Sequence, residues 1–208
     1  VFVGLTSGAS VIVAQFYGAK DKKNLNKTLH TSYAFGIVTG FVVAVVGLLV
    51  TNTVLELMKT PQELMADSRL YLHIYFCGMI FNIIYNMGAS ILRAVGDSRR
   101  PLYVLMVTCG LNIVLDILLV VIFRLGVMGV AIATVSCQGI SSILVTAMLM
   151  KEHPLFQLKL REIRFYRVSL NSVLRIGIPA ALEATMYTIA NLIIQVFVNE
   201  LGTDTVAA

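Results

Sequence analysis

The chain has 208 residues, 58% of them hydrophobic and 13% charged, with a mean hydropathy of +0.86. Soluble domains carry about 25% charged residues, so a water-soluble globule is excluded. The net charge of +5 is gathered in alternate connections between apolar runs, which is a topology signal rather than a nucleic-acid-binding surface.

A helix that crosses a bilayer needs about 20 mostly apolar residues. Six runs approach that length: Val1–Tyr17, Leu29–Val50, Leu70–Ile91, Leu102–Phe123, Val127–Met150 and Asn171–Val198. The expected architecture is all-α and polytopic, with about six transmembrane helices. The first run holds Gly4 and Gly8, and the second Gly36 and Gly40, at the GxxxG spacing that permits close helix approach. Both pairs are assigned to packing within the monomer. Between them lies GAKDKKNLNK, a basic turn. After the second run, TNTVLELMKTPQELMADS predicts a short surface helix from about Pro61. The third run carries Asn82, Tyr85 and Asn86, which either pack or line a cavity. RAVGDSRRP follows, with Pro101 in the first turn of the fourth run, where a missing N–H is harmless. FRLG, Phe123 to Gly126, predicts a tight hairpin into the fifth run. The connection Glu152–Leu170 mixes Leu155, Phe156, Leu158, Leu160, Ile163 and Phe165 with basic residues. It reads either as an interfacial segment on the cytoplasmic leaflet or as a plain linker between two bundles. The last run contains Pro179, where a kink is expected.

Thirteen of the 16 basic residues fall in, or at the edge of, the connections after the first, third and fifth runs. Only Lys59, Arg69 and Arg124 fall in the others. The rich side is expected to be cytoplasmic, which puts both chain ends outside and makes this a multi-pass plasma-membrane protein. A chain that begins at Val1 and stops in GTDTVAA is expected to be an internal piece of a transporter-sized protein. Cys77, Cys109 and Cys137 lie singly in three spans and read as small apolar packing residues. His30, His73 and His153 stand near the expected membrane surfaces, in structural interfacial roles.

Within the spans the only acids are Asp116 and Glu183. An aspartate at the centre of a spanning helix costs roughly 2.5–3.5 kcal/mol on insertion scales, so an intramembrane acid is a functional candidate. Asn112 and Asp116, four apart, share a helix face. Asp116 lies six residues before Ile122, and Thr134 seven beyond Val127. If FRLG is a tight hairpin, both lie roughly 10 Å below the outer surface. An amide, a carboxylate and a hydroxyl at one depth could bind sodium, hold a protonated carboxyl group, or brace two helices. Glu183, four residues after Pro179, is a candidate second ionisable site.

These residues carry a resemblance. QFYGA at Gln15–Ala19, RAVGDSRRP at Arg93–Pro101, NIVLD at Asn112–Asp116, GVMGVAIAT at Gly126–Thr134 and GIPAALEATMYTIANLIIQ at Gly177–Gln195 together resemble the multidrug and toxic compound extrusion (MATE) transporters. The resemblance implies twelve helices in two six-helix lobes. Residues 1–150 would be helices two to six of the N-lobe, with helix one missing. Residues 151–170 would be the cytoplasmic inter-lobe linker, and 171–208 the first helix of the C-lobe. Asn112, Asp116 and Thr134 match N-lobe positions that line a cation- or proton-responsive cavity in relatives. Relatives with a C-lobe acid carry it where this chain has Tyr187, one turn beyond Glu183, so Tyr187 is a candidate for cavity lining.

The function implied is a cation-coupled antiporter, driven by protons or sodium, that exports amphiphilic and often cationic compounds. It would need no cofactor beyond the coupling ion and would act as a monomer when full length. The alternative is a lipid-linked saccharide flippase, but its pyrophosphate would call for basic residues within the spans, and these hold lysine or arginine only at their ends. An intramembrane aspartyl protease would need two catalytic aspartates, and neither HExxH nor GxSxG occurs. A transporter, not an enzyme, is expected.

Overall fold

A computed structural model describes residues 2–58, 61–151 and 156–200; His153 and the terminal GTDTVAA lie outside them. The described chain is helical: α1 (Phe2–Gly18), α2 (Lys22–Leu57), α3 (Gln62–Ala94), α4 (Arg99–Asp116) continuing as a π-helical segment (Ile117–Ile122), α5 (Gly126–Met150), a 3-10 turn (Leu160–Glu162) and α6 (Arg167–Glu200). Five helices, α2 to α6, are long and apolar enough to cross a membrane; α1, with 17 residues, is shorter.

Helix boundaries run past the hydropathic runs. Asp21 caps α2: its Oδ1 accepts from the Asn24 amide at 3.1 Å and its Oδ2 from Asn24 Nδ2 at 2.7 Å. Such a cap satisfies donors that the first turn leaves unpaired. From there α2 runs 36 residues, about 54 Å, well beyond the hydrocarbon thickness of a bilayer. Pro61 does not start a separate surface helix. It is the N-cap residue of α3, which continues unbroken through the third span, because nothing between Gln62 and Leu70 breaks a helix. The FRLG turn is tight, as expected, and is made by positive φ at Arg124 (54°) and Gly126 (54°).

The main core gathers at the basic end of the bundle. Leu29 and Tyr33 of α2, Ile91 and Leu92 of α3, Val145 and Leu149 of α5, and Val173 of α6 are buried there. Residues 156–166 are docked against this end rather than lying free on a leaflet. The Leu158 amide donates to the Leu149 carbonyl at 3.0 Å, and the Leu158 side chain is buried. His30 and Thr31, both buried on α2, bond to the same stretch. Outward-facing surfaces are apolar, with Phe41 63%, Leu49 74% and Ile122 68% exposed, which suits hydrocarbon as the surrounding solvent.

Both GxxxG pairs face helices of the same chain. A Cβ at Gly8 would stand 2.6 Å from the backbone of Gly177, and one at Gly4 would strike the backbone of Ala181, so α1 and α6 touch main chain to main chain. Gly40 meets the Ile80 backbone of α3 in the same way. Packing of this kind relies on small residues, since lipid provides no hydrophobic drive between helices.

Candidate functional site

Three polar stripes converge between α3, α4 and α5. On α3 they are Asn82, Tyr85 and Asn86; on α4, Thr108 and Asn112; on α5, Thr134, Cys137, Gln138 and Ser141. Each set recurs at three- and four-residue spacing, which places it on one helix face. Together with Arg93, Leu105 and Cys109 they line a cavity of about 450 Å³.

Part of this lining is satisfied within the protein. Asn86 Nδ2 donates to the Asn82 carbonyl at 2.8 Å and to Asn82 Oδ1 at 3.0 Å, a same-helix bracket one turn long. The Tyr85 hydroxyl donates to the Pro101 carbonyl at 3.3 Å, linking α3 to the start of α4. Ser141 Oγ donates to Thr108 Oγ1 at 3.0 Å, and Thr108 in turn donates to the Val104 carbonyl at 2.8 Å. This clasp ties α5 to α4 at the basic end of the cavity.

Toward the other end, polar atoms are left over. Asn112 Nδ2, Asp116 Oδ1 and Gln138 Oε1 are buried and meet no hydrogen-bond partner in the protein. Buried polar groups are nearly always paired, and leaving one unpaired costs about 1–3 kcal/mol. Asn112 lies against the Cys137 thiol, a weak acceptor at best. The α-helix gives way to the π-helical segment directly after Asp116, a departure common at functional sites.

The structure thus brings Asn112 and Thr134 to one cavity and sets Asp116 a turn beyond Asn112. Asp116 is not itself part of the cavity lining, and no hydrogen bond joins it to Thr134 among the described residues. Asn82, Tyr85 and Asn86 line the cavity. Glu183 and Tyr187, which the resemblance assigns to the C-lobe, lie apart from this cavity: both are exposed on α6, with Tyr187 69% exposed. The physical reason is the α1–α6 small-residue contact, which holds α6 on a face of the bundle away from α4 and α5. Sequence reasoning missed Thr108, Gln138 and Ser141. The signal was available: Thr108 precedes Asn112 by four, and 134, 137, 138 and 141 follow a helical period.

The sequence model of the MatE family matches residues 1–118, more than half of the chain. The chain belongs to the MatE family. It is 34% identical over 213 residues to the "Probable multidrug resistance protein YoeA" of Bacillus subtilis (strain 168), covering 99% of this chain and 46% of that protein. To the "Multidrug export protein MepA" of Staphylococcus aureus (strain MRSA252) it is 24% identical over 201 residues, covering 97% of this chain and 45% of the other. Among solved structures, MATE in its bent conformation superposes with a TM-score of 0.86 at 26% identity, over 92% of this chain and 43% of that one. MATE in complex with MaD5 gives 0.89 at 25% identity, over 100% and 47%. The chain therefore spans about half the length of the MATE relatives it matches, and its helices adopt the arrangement of half a polytopic transporter.

Proposed function

We propose that this MATE chain forms the N-lobe portion and first C-lobe helix of a cation-coupled antiporter exporting amphiphilic, often cationic compounds. Asp116 binds the coupling ion, a proton or sodium, with Asn112, Gln138 and Thr134 around it. The observation that carries this reading is the buried, unpartnered Asp116 oxygen a turn beyond Asn112, whose unpartnered amide nitrogen shares the cavity with the unpartnered Gln138 oxygen. A carboxylate left without donors is costly while charged, and a proton or a cation relieves that cost. Relief changes the preferred packing of α4 against α5, whose facing polar stripes are tied, among the described residues, by the Ser141–Thr108 clasp. A membrane potential contributes about 2.3 kcal/mol per charge per 100 mV, enough for one or two ions to drive useful export.

The basic end of the bundle is assigned to the cytoplasm of a plasma membrane, from the charge asymmetry. Two lobes rocking about a midplane cavity then give alternating access. Names of the relatives support multidrug export as the broad activity. Arg93, exposed at one end of the cavity, is the one cation in its lining among the described residues, too little charge for a lipid-linked pyrophosphate.

The test is dye efflux from cells expressing the full-length parent, with proton and sodium gradients collapsed separately, beside Asp116→Asn. Wild-type efflux is expected to fall with one gradient only, and the variant to lose that dependence. Undiminished, still ion-coupled efflux by Asp116→Asn overturns the reading.

A further inference from the structure

A second cavity, of about 370 Å³, lies at the basic end where α1, α2 and the start of α6 meet. Its walls combine three aromatic rings, Phe16, Phe165 and Tyr166, with Lys27, Arg167, Asn24 and Ser169. Lys27 Nζ stands 5.6 Å from the centre of the Tyr166 ring, and the Arg164 guanidinium 5.8 Å. Among the described residues the ion pairs are Arg100–Asp97 and Lys159–Glu162, so Lys27, Arg164 and Arg167 have no carboxylate. The nearest acid along α2, Asp21, is engaged by Asn24 as the helix cap.

The backbone that carries Arg164 and Arg167 is anchored to α2. The Tyr166 amide donates to the fully buried Thr31 Oγ1 at 3.1 Å, and Thr31 donates to the Arg164 carbonyl at 3.4 Å. Arg164 to Arg167 is thereby fixed against α2 beside Lys27. Three neighbouring cations without a counter-charge create a local positive field. A cavity that adds hydroxyl and amide donors supplies what a phosphate accepts.

We propose that this cavity binds a phosphate group, and that the apolar walls select the phosphate of an anionic phospholipid. Basic pockets between helices at a membrane surface favour such headgroups. Phe16 and Phe165 offer the glycerol and upper acyl chain a surface that free phosphate does not need. An occupant would join α2 to the first turn of α6, and so couple the membrane's lipid composition to the junction between the lobes.

The experiment is native mass spectrometry of the full-length parent in detergent, titrated with phosphatidylglycerol, phosphatidylcholine or inorganic phosphate. Three chains are compared: wild type, Lys27→Gln/Arg167→Gln, and Lys22→Gln/Lys23→Gln, which removes equal charge from exposed positions outside the cavity. Phosphatidylglycerol is expected to bind wild type in preference to phosphatidylcholine and to weaken about thirtyfold in the first variant. The Lys22/Lys23 variant should match wild type. Should the double variant fail to fold, Lys27→Gln alone is expected to weaken binding about fivefold. Binding of inorganic phosphate as tight as that of the lipid, with the same dependence on Lys27 and Arg167, would uphold the phosphate site and overturn the lipid selection. Binding unaffected by these substitutions, or reduced equally by the Lys22/Lys23 pair, overturns the proposal.

Discussion

His30 Nε2 accepts a hydrogen bond from the backbone amide of Lys159 at 3.0 Å, across 129 residues of sequence. Its Nδ1 faces the Asn26 carbonyl at 2.8 Å, which requires the ring's one proton on Nδ1 and leaves Nε2 free to accept. A buried imidazole thus fastens the connection between α5 and α6 to α2. His30→Ala leaves the Lys159 amide without its acceptor, at a cost of about 1–3 kcal/mol. Hydrogen exchange across residues 157–166 of the full-length parent is expected to quicken at least about fivefold, with α3 unchanged. Exchange rates equal to wild type would show that the bond does not hold the linker.

Gln138 offers a test of whether the leftover polar atoms serve function at the expense of stability. Its buried Oε1 has no partner, so Gln138→Met removes an unsatisfied group at nearly constant volume. Thermal unfolding is expected to shift upward, by roughly 1 kcal/mol, while ion-coupled efflux falls. A variant that loses stability would mean that Gln138 is a brace rather than part of the ion's surroundings.

The α1–α6 contact separates two glycines that composition alone cannot distinguish. Gly8→Ala introduces a Cβ 2.6 Å from Gly177, and overpacking of this kind costs about 1–3 kcal/mol. At Gly110 a Cβ meets nothing within 4 Å, so Gly110→Ala is expected to be neutral or to add up to about 1 kcal/mol. Melting temperatures of the two variants in one detergent check the contrast.

The Asp21 cap carries a pH signature. Hydrogen bonds from the Asn24 amide, then from its side chain, hold the Asp21 carboxyl below its ordinary value of 3.8. A depressed folded-state pKa stabilises above the unfolded value and is lost as pH falls through the folded one. Fraying of the first turn of α2, read by exchange at Asn24 and Leu25, is therefore expected to rise only below about pH 4. In Asp21→Asn that dependence should vanish while the cap persists, whereas Asp21→Ala should fray at every pH.

Hydropathy made the spans legible because each is a long apolar run, and Asp116 stood out because it interrupts one. Helix ends were less legible. Hydropathy reports where a chain meets lipid, whereas α2 begins at a capping aspartate among lysines and α3 begins at Pro61 among helix-compatible polar residues. The cavity was half legible. Asn112 and Thr134 were found by depth, but Gln138 and Ser141 look ordinary until α5 is set against α4. Glu183 was ranked by depth and Tyr187 by the family resemblance, and the close α1–α6 packing that sets α6 apart from the cavity depends on contacts roughly 170 residues apart in sequence. The docked linker was illegible for the same reason.

The π-helical segment changes how experiments on α4 must be designed. Between Ile117 and Ile122 the bonding step is five residues, as in the Phe123 amide to Leu118 carbonyl bond at 3.0 Å. Projections that assume 3.6 residues per turn drift out of register beyond Asp116, because the wider π-helical turn advances each residue through a smaller angle. Cysteine labels or crosslinkers meant to report from directly over the carboxyl group should be attached with that offset counted in.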